Sequence, residues 1–193
     1  RYLTMLTICS MVGLQAWLTL FNNFAVEVVG LEGNHVGIIQ SIREIPGFLA
    51  LLAVFVMMVI KEHRLSALSI LFLGLGVGMT GLFPSYWGVL MTTLIMSFGF
   101  HYYETTNQSL TLQYFDEKTS PWVFGKLRSA AAASSIGVGI FIYLAATLLN
   151  YTQIYMFIGA LIVAGALWGF LQDPTDRTLV PQRKKMIFRR KYW

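Results

Sequence analysis

The chain has 193 residues, 56% of them hydrophobic and only 12% charged, with a mean hydropathy of +0.63. A soluble domain carries charge on about a quarter of its residues, so composition excludes an ordinary water-soluble fold and points to an integral membrane protein with the lipid bilayer as its solvent. The net charge of +5 does not indicate nucleic acid, because no folded basic domain carries it, and the single Cys9 excludes an intrachain disulfide and a thiolate metal cluster.

A helix needs about 20 apolar residues to cross the hydrocarbon. Six stretches qualify: 2–26, 35–60, 65–82, 86–108, 123–149 and 154–171. The first follows a single arginine and has no small-residue cleavage site at its end, so it is a retained span rather than a signal peptide. Gln15, Thr19, Asn23 and Glu27 recur every four residues along it, with Asn22 beside them, giving one polar helix face.

The second span holds Arg43 and Glu44 just before Pro46-Gly47. Each charge costs about 2.5–3.5 kcal/mol near the centre of a span, whereas each Leu, Ile, Val or Phe contributes about 0.3–0.6 in the other direction. The fourteen such residues in 36–60 bring the segment close to balance, so it inserts, but with both charges turned away from lipid. Adjacent helical residues do not face each other, so each charge is expected to need a partner elsewhere or a wet cavity. Counting from the first loop puts Arg43 level with Asn22 and Asn23.

The third span carries Gly74, Gly78 and Gly81, and the sixth carries Gly159, Gly165 and Gly169. The pairs Gly74/Gly78 and Gly165/Gly169 have the small-xxx-small spacing that lets helices approach closely. In the fourth span Thr93, Ser97, His101, Glu104, Thr105 and Gln108 fall on one stripe, away from Leu90, Leu94 and Ile95. A polar stripe in a membrane span points at a cavity or another helix. The fifth span opens with a ribbon of Ala, Ser and Gly over 125–139, which suits tight packing against several neighbours. Met57-Met58, Met91 and Met96 do not converge with His101 by spacing, so they are packing residues and no metal site or cofactor is expected.

Every Lys and Arg but Arg43 falls on one side: Arg1, Lys61, Arg64, Lys118, Lys126, Arg128, Arg177 and the tail cluster Arg183, Lys184, Lys185, Arg189, Arg190 and Lys191. The positive-inside rule then puts both termini in the cytoplasm. Tyr86, Trp87, Tyr151 and Tyr155 at outer helix ends, and Tyr114, Trp122 and Trp168 at inner ones, fit interfacial belts. Three spans followed by three more make an inverted-topology repeat, an arrangement frequent in secondary transporters. The expectation is an all-α six-helix transmembrane bundle over residues 1–171 and a basic cytoplasmic tail or linker over 172–193.

Six spans as three plus three, cytoplasmic ends and a basic segment after the sixth resemble the N-terminal half of a major facilitator superfamily transporter. The likeness covers essentially the whole chain. The family's glycine-acid-arginine loop between spans two and three corresponds to "MVIKEHRLS", where only Glu62 and Arg64 stand in and no glycine is present. "DEKTSPWVFGKLR" fits the family's fourth-to-fifth loop better, while the fifth-span antiporter signature and the early fourth-span arginine are absent. The resemblance implies a multi-pass protein of the cell (inner) membrane and a central path lined by the first and fourth helices, the two spans whose polar faces were found by spacing. It also implies a second six-helix half, in the same chain or as a separate subunit, since complete members have twelve spans.

The expected activity is secondary active transport of a small solute by alternating access, as a symporter if proton-coupled. Gln15, Asn22, Asn23, Arg43, Glu44, Thr93, Ser97, His101 and Glu104 would form the substrate or ion pathway, and Glu62 and Arg64 a loop gate. Arg43 keeps its proton and would act as a fixed charge for an anionic group or a carboxylate, whereas Glu44, Glu104 and His101 can titrate. The Arg43–Glu44 pair also has a purely structural reading, as a lock between helices. The competing function is an accessory or assembly subunit of a membrane complex. No Gly-x-Ser-x-Gly, His-x-x-x-His or paired-aspartate pattern supports an enzyme.

Overall fold

The structure, a computed structural model, describes residues 1–174. All but the first three residues of the expected basic tail, Arg177 and Arg183 to Lys191 included, lie outside the described residues. Among the described residues all regular structure is helical: α1 (Tyr2–Asn23), α2 (Gly33–Arg43), α3 (Ile45–Phe48), α4 (Leu52–Met57), α5 (Glu62–Thr80), α6 (Tyr86–Tyr114), α7 (Ser120–Ala145) and α8 (Tyr151–Leu171). A π-helical turn, Phe24–Val28, continues α1, and a 3-10 turn, Leu49–Leu51, joins α3 to α4.

Five helical segments are long and apolar enough to cross a membrane: α1 with its π turn, α2 through α4, α5, α7 and α8. At 29 residues α6 is also long enough, about 43 Å at 1.5 Å per residue. It falls short only in apolarity, because Thr92, Thr93, Ser97, His101 and Glu104 dilute its hydrophobic residues. The fold is thus that of a multi-pass, all-helical membrane protein.

Local chemistry fixes the helix ends. Ser85 caps α6 by accepting from the Gly88 N–H at 3.1 Å. Asn150 and Gln153 form a reciprocal capping box at the start of α8. Hydropathy misplaces several helix ends, because it registers the membrane and not the helix. Glu62, His63 and Arg64, expected in a loop, form the first turn of α5, and α6 runs on past Gln108 to Tyr114.

The second span departs most from expectation. A single helix over 35–60 is instead broken into α2, α3, the 3-10 turn and α4. Pro46 has no N–H to give to the turn before it, and its ring clashes there. The Glu44 N–H accordingly reaches back only three residues, to the Ser41 carbonyl at 3.2 Å.

α5 lies at the centre, with its most extensive packing against α6 and α8. α1 packs on α7, α8 and α5, and the broken second span lies on α6. A Cβ built on Gly99 of α6 would come within 2.4 Å of the Leu73 nitrogen and the Ser69 carbonyl of α5, so these backbones touch. Gly74 and Gly78 face α8 at Val163 and Gly159, whereas Gly165 and Gly169 face α1 at Cys9 and Leu6. The two glycine pairs therefore serve different interfaces.

Contacts gather the helix ends into two groups. At one end the Tyr2 hydroxyl donates to the His63 carbonyl, Tyr2 stacks on Trp168, and Ser109 of α6 donates to Glu62 at 3.0 Å. This is the basic end, since it also carries Lys61 and Arg64. At the far end the Tyr151 hydroxyl donates to Glu27 at 2.7 Å and Thr152 to the Gly81 carbonyl at 2.8 Å.

Two further expectations are corrected. The small-residue ribbon of α7 is not clamped by several neighbours. Ala132, Ala133 and Gly137 are exposed, and nothing lies within 4 Å of a Cβ on Gly125, Gly137 or Gly139. α7 packs mainly on α1, so the ribbon presents a thin, uncovered face. Tyr155 is not interfacial but fully buried, edge-on to Phe24 at 5.5 Å between ring centres.

Candidate functional site

The break in the second span makes a site. α2 ends at Arg43, and Glu44 is its C-cap with ψ −12°. Outside a continuous helix the rule that neighbours diverge no longer holds, and the Arg43 guanidinium pairs directly with the Glu44 carboxylate. The divergence expected of neighbours in a helix is thus corrected, while both charges also line a cavity, the other environment expected for them. The guanidinium also lies over the Trp17 ring of α1, 5.2 Å from its centre, a cation–π contact.

The level of Arg43 is corrected too. α1 extends through the π turn to Val28 and α2 starts at Gly33, so Arg43 faces Trp17. Asn22 is met one turn earlier, where it accepts from Gln40 at 3.4 Å. The π turn also carries Glu27 off the row of Gln15, Thr19 and Asn23 and toward Tyr151.

α6 supplies the other wall. Ser97, fully buried, donates to the Arg43 carbonyl and ties α6 to the break. One turn on, His101 Nε2 is 3.8 Å from the other Glu44 oxygen. The imidazole rests on the backbone of Gly47, where a Cβ would come within 2.7 Å of the ring. Pro46-Gly47 thus has two parts: proline breaks the helix and glycine makes room for His101.

These groups surround a cavity of about 220 Å³ between α1, α2 and α6, bounded also by Leu14, Leu18, Met96 and Phe100. Arg43 is largely enclosed, with 20% of its side chain exposed against 57% for Glu44. Arg43 Nε and the Thr93 hydroxyl are buried without a hydrogen-bond partner. The site therefore offers an enclosed cation with a donor to spare and a more open carboxylate beside an imidazole. Such an arrangement can accommodate a polar or anionic group of a few atoms.

Of the residues expected in a pathway, the structure brings Arg43, Glu44, Ser97 and His101 together, with Thr93 one turn along α6. Gln15 donates to Thr19 at 3.2 Å along the α1 face, and Thr19, Asn22 and Asn23 on that face are exposed. Glu104 belongs to a second, smaller cavity of about 130 Å³ nearer the basic end, which it shares with Thr7, Ser10, Asn107 and Arg128. Glu62 of the expected gate is engaged by Ser109, and Arg64 is exposed.

Trp17, Asn107 and the Thr7–Tyr103 hydroxyl pair at 2.8 Å escaped the sequence reading. Hydropathy counts Trp and Tyr as apolar, and Asn107 lies off the stripe, so no signal marked them. No three His, Cys, Asp or Glu converge as a metal site among the described residues. No protein-family model matches the chain, and no curated protein is detectably similar to it.

Proposed function

We propose that this chain is one six-helix bundle of a secondary active transporter of the major facilitator type. Its solute path runs along the polar faces of α1 and α6 and past the Arg43–Glu44–His101 cluster. The observation that carries the reading is this cluster, charged and cavity-lining at a proline break in a segment otherwise fit to cross lipid. Irregular backbone at membrane depth is tolerated where it is buried in protein or lines a water-filled cavity, and intramembrane charge marks solute and ion paths.

The packing supports a three-plus-three inverted repeat. Exchanging each span for the one three later turns the α1–α7 contact into that of α6 with the second span, turns α5–α6 into α8–α1, and returns α5–α8 to itself. The basic residues support cytoplasmic termini in a cell (inner) membrane. The uncovered polar face of Gln15, Thr19, Asn22 and Asn23 supports a second bundle, since lipid is a poor solvent for that row and a facing bundle with water between is a good one.

Arg43 would hold an anionic or zwitterionic solute, and Glu44 with His101 would carry the coupling proton. Their relative protonation would change as the cavity alternates between the two sides. Glu104 and Arg128 would form a later polar station toward the cytoplasm, with Glu62 and Arg64 beyond it.

The direct test reconstitutes the full polypeptide in proteoliposomes and follows uptake of labelled anionic and zwitterionic solutes under an inward proton gradient. Accumulation that a protonophore collapses is the expected result. If no solute moves, and the protein is recovered only as a fixed-ratio part of a larger complex, the accessory-subunit function takes the place of transport. Within the same assay Gly47→Ala drives a methyl against the His101 ring. It is expected to lower uptake at least tenfold while shifting the melting temperature by no more than about 4 °C, the equivalent of roughly 1 kcal/mol. Normal uptake by Gly47→Ala would remove His101 from the mechanism.

A further inference from the structure

We infer that the protein holds one anionic phospholipid at a built site, with an acyl chain in a groove between α4, α5 and α6 and its headgroup on Lys61 and Arg64. The inference needs the membrane-spanning fold alone and stands or falls independently of transport.

The groove exists because the second span is broken. After the 3-10 turn α4 makes little contact with α5 and α6, leaving an apolar trough of about 330 Å³. Val56 forms one wall, Leu65, Leu68 and Phe72 the floor, and Ile95 and Phe98 the other wall. A trough of this composition takes hydrocarbon.

Its mouth is charged. Lys61 precedes Leu65 by four residues, and Arg64 precedes Leu68 by four, so both cations continue the helical rows that floor the groove. Both are exposed, and neither makes an ion pair among the described residues. The nearby acids are directed elsewhere: Glu62 accepts from Ser109, and Asp173 approaches His63 at 4.0 Å. The N-terminal end of the α5 dipole lies here and adds to the positive field.

Length selects the occupant. From Lys61 to Phe72 the helix rises about 16 Å at 1.5 Å per residue, close to the depth of one leaflet, half of a hydrocarbon core of about 30 Å. A phospholipid of the leaflet at the basic end fits this arrangement, its phosphate on the two cations and one chain along the floor. A free anion would leave the trough empty, and a zwitterionic lipid would bring its own ammonium beside the two cations.

The purified full polypeptide is titrated with phosphatidylglycerol and with phosphatidylcholine, and bound lipid is counted by native mass spectrometry. One phosphatidylglycerol is expected to bind about thirtyfold more tightly than phosphatidylcholine, from two cations at about 1 kcal/mol each. Lys61→Gln/Arg64→Gln is expected to abolish that preference, while Lys184→Gln/Lys185→Gln, which removes equal charge from the tail, retains it. Leu68→Trp, or Val56→Trp from the facing wall should the first not fold, fills the trough with both cations intact and is expected to lose the bound lipid. Three results overturn the assignment: equal binding of the two lipids, a preference that disappears with the tail variant alone, or a second copy of the chain covering the trough in place of lipid.

Discussion

Arg43→Gln is expected to abolish solute uptake and leave the bundle folded. The substitution removes a guanidinium that is mostly enclosed, pairs with Glu44 and lies over Trp17. Removing one partner of a buried, charge-assisted contact costs about 2–5 kcal/mol. If that contact is made to the solute, uptake falls roughly 30-fold or more. The folding cost is smaller. A cation–π contact of about 0.5–2 kcal/mol is lost, but so is the buried Nε that has no partner. Arg43→Lys keeps the charge without the planar stack and is expected to fall between the two. Uptake rates and detergent melting curves for both variants separate the possibilities. Undiminished uptake by Arg43→Gln would leave the pair as a structural lock only.

Gly159→Val is expected to be the most damaging single substitution for folding. A Cβ at that position would come within 2.3 Å of the Gly78 Cα and 2.6 Å of its nitrogen. Both obstacles are backbone, so no rotamer change relieves them, and α5 and α8 must separate along one of the two most extensive interfaces of the bundle. Overpacking of this kind costs about 3 kcal/mol, a fall in melting temperature of about 6–12 °C for a chain of this size. Gly137→Val adds the same side chain on the open face of α7, where nothing lies within 4 Å. It is expected to shift stability by less than about 0.5 kcal/mol. Similar losses for the two variants would contradict the α5–α8 packing.

Much of this bundle is legible in the sequence, because a bilayer demands long apolar runs and tolerates few exceptions. Helices occupy all six expected stretches, five of them long and apolar enough to cross a membrane and the second broken at Pro46. α5 begins at Glu62 and α6 continues to Tyr114 because a helix does not stop where the hydrocarbon does, whereas α7 ends at Ala145, short of its apolar run. The polar rows of α1 and α6 are also legible, since spacing of three and four survives any packing. Hidden from spacing is whatever depends on a departure from ideal helix. The π turn swings Glu27 away from its row, and the break at Pro46 lets neighbouring Arg43 and Glu44 meet. The partner that completes the cluster, Trp17, is chosen by tertiary packing and carries no polar signature. The α7 ribbon shows the converse limit. Small residues indicate that a close approach is permitted, not that a neighbour is present within this chain.

The central claim is that the polar face of α1 borders water and not lipid or a dry protein seam. Thiol labelling tests it most directly, in membranes, on a Cys9→Ala background that removes the native thiol. Gln15→Cys and Thr19→Cys should react with a charged, membrane-impermeant reagent. Leu161→Cys, on the exposed apolar face of α8, should not. A solute that occupies the path should slow the first two and leave the third unchanged. Protection of Gln15→Cys and Thr19→Cys equal to that of Leu161→Cys would contradict the account, because it would mean that the polar row is sealed against another helix and that no path runs along it.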